Sequence, residues 1–165
     1  MLTLLTRSRA TVLKFGLAFG LLSIMLGSTV ITAGAAPRSP QYVQCSSHVV
    51  STQASRSQNY TGIGTVYVYF EKLVDARNFA FCGSVRNHSR VVISGTHSGH
   101  LSGVGHFGHD YQHLGGSILN TDVVGSSGTL DSWGPWVGQP CGSVVGVFTI
   151  GSVGYPSPTL LACAA

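Results

Sequence analysis

Between Gly95 and Gly116 the chain reads GTHSGHLSGVGHFGHDYQHLGG, a stretch that holds His97, His100, His106, His109 and His113, five of its seven histidines. Neutral imidazole is a good ligand for Zn(II), Cu(II) and Ni(II), and three such ligands leave a metal open to solvent while a fourth closes the site. A hairpin turning at Gly103 would set His100 opposite His106 and His97 opposite His109. The two pairs differ in parity, so strand alternation separates them onto opposite faces. A bulge at Gly99, Gly105 or Gly108 would be needed to reunite them. His113 extends the side bearing His109, and Asp110 is placed to ligate or to orient a ring. His106, His109, Asp110 and His113 would also share one face of a helix, but Gly105 and Gly108 count against a helix there. The spacing matches neither HExxH nor a Cys2His2 pattern. Three readings follow: a divalent transition-metal site, a surface that gains charge as imidazoles protonate near about pH 6.5, or a solvated glycine-rich hairpin.

A second group of residues suits recognition. Trp133 and Trp136, the only tryptophans, stand in SWGPWVG beside Asp131, and Tyr67 and Tyr69 alternate with valines in TVYVYFEKLV. Aromatic side chains on a rigid β scaffold offer contact area at low entropic cost, to a carbohydrate or to a protein. The same rings would serve equally as plugs at the end of a core. Catalysis has weaker support. GxSxG is absent, and Glu71 and Asp75, the one close carboxylate pair, fall at a strand end and its turn rather than flanking a cleft. No catalytic residue is assigned.

The elements that must carry these residues read as β throughout. The segments between glycines are short, β-branched and aromatic, with no long helical period. Tyr42–Val50 is a first strand and 51–59 a polar loop. Thr65–Val85 forms a hairpin turning near Asp75–Arg77, and Arg90–Gly95 is a further strand. Ser117–Val124 is a strand pair or a strand broken at Asn120, 132–142 is irregular around Pro135 and Pro140, and three short strands close the chain. The expected fold is all-β, an antiparallel sandwich or small barrel in one domain, 36–165. Cys45, Cys82, Cys141 and Cys163 are even in number and lack CxxC spacing, which points to two disulfides. A terminal hairpin centred near Ser152 would oppose Cys141 and Cys163, leaving Cys45 to pair with Cys82.

Ahead of this domain, Arg7, Arg9 and Lys14 precede an apolar run, Phe15–Ala33, and the small-residue exit Ala33–Gly34–Ala35. That order is a secretory signal peptide, 1–35, with a helical apolar centre. An uncleaved anchor is the alternative, since the run is long enough to span a bilayer. Glycine and serine inside the run and the polar APRSPQ after it favour cleavage, and with it no membrane attachment. The signal carries three of the chain's nine basic residues, so the remainder holds six Lys and Arg against five acids, a net charge of +1. No basic cluster of the kind that binds nucleic acid appears. The leading expectation is a secreted, non-catalytic module binding an extracellular ligand. The alternatives are a metal-binding protein using His97 to His113 and, last, an enzyme of unidentified mechanism. Asn59 and Asn87 each begin an N-glycosylation sequon, NYT and NHS.

Overall fold

A computed structural model describes residues 45–164. The expected signal segment lies outside the described residues. What is described is all-β: ten strands in two antiparallel sheets, with no helix. The first sheet runs β1 (His48–Tyr60), β2 (Gly64–Asp75), β3 (Phe81–Ile93), β7 (Gly128–Trp133). The second runs β10 (Leu160–Cys163), β8 (Cys141–Ile150), β4 (Gly99–Gly108), β5 (Leu114–Leu119). The short β6 (Val123–Gly125) joins β4, and β9 (Val153–Pro156) joins β8.

The alternation legible in TVYVYFE decides which way the first sheet faces. Val66, Val68 and Phe70 are fully buried, and Tyr67 and Tyr69 point the other way. Residues of both sheets meet in two apolar clusters. One gathers Val68, Phe70 and Val85 with Phe107, Val144 and Leu160. The other gathers Val66, Val91 and Ile93 with Leu101 and Phe148. Buried Asn87, Ser89, Asn120 and Ser132 add a polar set to this interior. Asn120 donates to Ser89 Oγ at 3.3 Å and to the Ser132 carbonyl at 3.1 Å, and Asn87 donates to the Val145 carbonyl at 3.4 Å. Gly103 is the residue that lets β4 come this close, because a Cβ there would overlap Ser89, Asn120 and Asn87.

Three expectations are corrected. The polar stretch 51–59 is not a loop but most of β1, an edge strand held by its ladder to β2, with mostly exposed side chains. The chain does not turn at Gly103: β4 runs straight through it, flanked by β8 on one side and by β5 and β6 on the other. Two ladders satisfy its backbone without a turn, and the glycines serve close packing instead. The third correction joins two strands into one, since β3 continues from Phe81 through the polar RNHSR to Ile93.

Both expected disulfides are present, Cys45–Cys82 and Cys141–Cys163. The second closes across the sheet, Cys163 standing directly opposite Cys141. Two disulfides fit an oxidising compartment. The two sequons separate sharply. Asn59 is exposed at the end of β1, whereas Asn87 is 1% exposed and points into the interior. In a host that modifies such sites, intact-mass analysis of the folded protein should find one glycan, at Asn59. A glycan on Asn87 has no room between the sheets.

Candidate functional site

The outward face of the first sheet is where charge and aromatic rings converge. The β2–β3 register sets Tyr67 opposite Arg90, Tyr69 opposite His88 and Glu71 opposite Arg86. The β3–β7 register sets His88 opposite Trp133 and Arg90 opposite Asp131. Alternation then sends all of these side chains to the same side.

They form two interlocked rows. The ionic row runs Arg86–Glu71–His88–Asp131–Arg90. Arg86 Nε lies 2.8 Å from Glu71 Oε2, and His88 Nδ1 lies 2.8 Å from Glu71 Oε1. On the far side, His88 Nε2 and Arg90 Nε each lie 2.7 Å from Asp131 Oδ1. The ring row crosses it at His88. Tyr67 stacks on Tyr69 at 6.1 Å between centroids, Tyr69 on His88 at 4.9 Å, and His88 on Trp133 at 5.0 Å. Arg86 extends the row with its guanidinium 4.4 Å from the Trp136 ring and 6.0 Å from that of Trp133. Arg90 lies 5.8 Å from the Tyr69 ring.

His88 is therefore held on all sides: both nitrogens face carboxylates, both ring faces are stacked, and it is only 6% exposed. Carboxylates only accept hydrogen bonds, so the arrangement is fully satisfied when the ring carries both protons. Both ring nitrogens are thus engaged within the row. Burial works to raise the carboxyls of Glu71 and Asp131. Hydrogen bonds from His88 and Arg86 outweigh it at Glu71, those from Arg90 and His88 outweigh it at Asp131, and both groups are held below their ordinary values. Burial raises the Tyr69 phenol, with Arg90 opposing.

A dependence on pH follows. In the unfolded chain these two carboxyls protonate near their ordinary values of 4.5 and 3.8, and in the fold they protonate lower. The stability they contribute is complete above the ordinary values and is lost as pH falls through that range towards the depressed ones. Urea unfolding followed from neutral to acid pH should show this decline, and Glu71→Gln/Asp131→Asn should flatten it.

The four rings expected at a binding surface, Tyr67, Tyr69, Trp133 and Trp136, thus share one face. Trp133 is 42% exposed, and the other three are half-buried. Sequence reasoning missed Arg86, His88 and Arg90, and it did not connect Glu71 with Asp131. The signal was present as R-x-H-x-R alternating with inward residues, facing Y-x-Y-x-E across a hairpin.

The five histidines do not form one cluster. His97 Nε2 bonds the Gly62 carbonyl at 2.6 Å. His100 pairs with Asp122 at 3.0 Å in an open pocket of about 430 Å³ that Ser98 and Thr149 also line. His106, midway along the second sheet, reaches the Gly115 carbonyl at 3.2 Å. Only His109 and His113 come together, in the turn between β4 and β5. Their rings stack at 4.6 Å, and Asp110 lies between their nitrogens. The Asp110 carboxyl is held below its ordinary value by the His113 hydrogen bond, with desolvation opposing and the Gln112 and His113 amides adding to the lowering.

Comparison with models of known protein families, with curated proteins and with solved structures finds no match for this chain.

Proposed function

We propose that the protein is a secreted, non-catalytic interaction module whose binding surface is the outward face of the first sheet. The observation that carries this reading is the row Tyr67–Tyr69–His88–Trp133, continued through Arg86 to Trp136 and fixed by ion pairs to Glu71 and Asp131. Tryptophan, tyrosine and arginine are the residues that dominate binding energy at protein interfaces. Here they are ordered before any partner arrives, so little side-chain freedom remains to be lost on association.

The stacking also favours a protein over a carbohydrate. Sugars dock on open aromatic faces, but Tyr69 and His88 have both faces covered, Trp133 has one face against His88, and Arg86 covers Trp136. The residues of the row most open to solvent are Trp133 and Arg90, and an indole beside a guanidinium suits a surface of carbonyls and carboxylates. The two disulfides and the leading segment, 1–35, support the secreted part of the reading.

The test is a parallel screen of the protein and its Trp133→Ala/Trp136→Ala variant on arrays of extracellular proteins and of glycans. Protein ligands bound by the parent and lost by the variant support the proposal. Identical profiles for the two, or hits confined to glycans, contradict it.

A further inference from the structure

We infer that the turn between β4 and β5 binds a divalent transition-metal ion through His109, Asp110 and His113. The site belongs to the second sheet and does not rest on the interaction surface proposed above.

The geometry is that of three ligands awaiting a centre. One nitrogen from each histidine and one carboxylate oxygen all lie within 4.8 Å of one another. Bonds of about 2.0–2.1 Å in a tetrahedron place ligand atoms roughly 3.3 Å apart, so modest rotations of exposed side chains close the set. Both rings already aim at the carboxylate. His113 Nδ1 lies 2.9 and 3.0 Å from its two oxygens, and His109 Nε2 lies 3.1 Å from Oδ2. An ion there replaces the N–H hydrogens shared with Asp110, and each neutral ring keeps its proton on the other nitrogen.

The backbone holds this arrangement in place. Asp110 Oδ1 accepts the amides of Gln112 at 2.8 Å and His113 at 2.9 Å, which fixes the turn that carries both rings. At its base, Gly108 pairs with Leu114 on one side and with the disulfide residue Cys141 on the other. Two imidazoles and one carboxylate suit Zn(II), Cu(II) or Ni(II), whereas Ca(II) and Mg(II) take oxygen ligands. With the His109 and His113 side chains 66% and 61% exposed, further coordination positions stay open to water or to a ligand from another molecule.

The experiment is calorimetric titration of the tag-free, full-length protein with Zn(II), Cu(II) and Ni(II), repeated on His109→Ala, His113→Ala, Asp110→Asn and the control His97→Ala/His100→Ala. Asp110→Asn retains an oxygen for the two turn amides, so it tests the ligand without removing the turn. The inference expects one ion per chain, affinity lowered at least about tenfold by each of the three single variants, and no change in the control. No saturable binding of any of the three metals would overturn it. So would affinity unchanged in His109→Ala/His113→Ala, or lowered equally in the control.

Discussion

His88→Ala is expected to lower the stability of the fold by about 3 kcal/mol, the scale on which two buried hydrogen bonds to charged groups are lost. Two effects combine. Glu71 and Asp131 lose the donor they share, with Glu71 only 6% exposed, and Tyr69 and Trp133 lose the ring between them. His88→Phe separates the two, because it restores a ring to the stack but no hydrogen bond. If the carboxylates dominate, His88→Phe should be nearly as unstable as His88→Ala, and Glu71→Gln/Asp131→Asn should recover much of the loss in the His88→Phe background. Urea midpoints at neutral pH measure all of these. A loss below about 1 kcal/mol for His88→Ala, the range of exposed pairs, would mean that the row is a loose surface network.

Phe148→Ala should cost more, about 4 kcal/mol. Phe148 is fully buried, and it is the only phenylalanine of the cluster formed with Val66, Val91, Ile93 and Leu101. Truncating it removes buried contact and leaves a cavity that rigid strands on both sides cannot fill. Leu161, on β10 and 57% exposed, is the control, with an expected change within about 0.5 kcal/mol. The two variants also differ in where they act. Phe148→Ala weakens the contact between the sheets and leaves the outward row assembled, so near-ultraviolet circular dichroism of the tryptophans should change less in the folded state of Phe148→Ala than in that of His88→Ala.

Much of the scaffold was legible in the residues. Period-2 alternation in TVYVYFE fixed the inward face of β2, and the spacing of Cys141 and Cys163 about Ser152 anticipated their cross-strand bond. The errors have physical causes. The stretch 51–59 carries few apolar residues because β1 is an edge strand, stabilised by its backbone ladder rather than by burial. Gly103 resembles a turn residue, but the requirement it meets is close approach to Ser89, Asn87 and Asn120. RNHSR looked like a break because its inward residues, Asn87 and Ser89, are polar, and their place in the interior follows from the fold alone.

Register hid the site itself. A β2–β3 turn centred on Ala76 sets Tyr69 opposite Gly83, whereas the observed ladder sets it opposite His88, five residues further on. A bulge between Lys72 and Val74 and the longer turn account for the slip. Cross-strand partners depend on such shifts, so the two rows could not be assembled from the sequence even though most of their members were visible in it. The histidine cluster failed for the same reason. It required a turn at Gly103, and the turn that forms lies beyond Gly108, where it gathers His109, Asp110 and His113 and leaves His97, His100 and His106 elsewhere.

The central claim is that binding resides on the outward face of the first sheet. It is tested most directly by the dissociation constant of the tightest protein ligand from the array screen, measured for the parent, Trp133→Ala and Val124→Ser. Val124 is 75% exposed on β6, which pairs with β4 of the second sheet. The account predicts that Trp133→Ala weakens binding by about 2 kcal/mol or more, roughly thirtyfold, while Val124→Ser changes nothing. Binding that survives Trp133→Ala and falls with Val124→Ser would contradict it and move the binding surface to the second sheet.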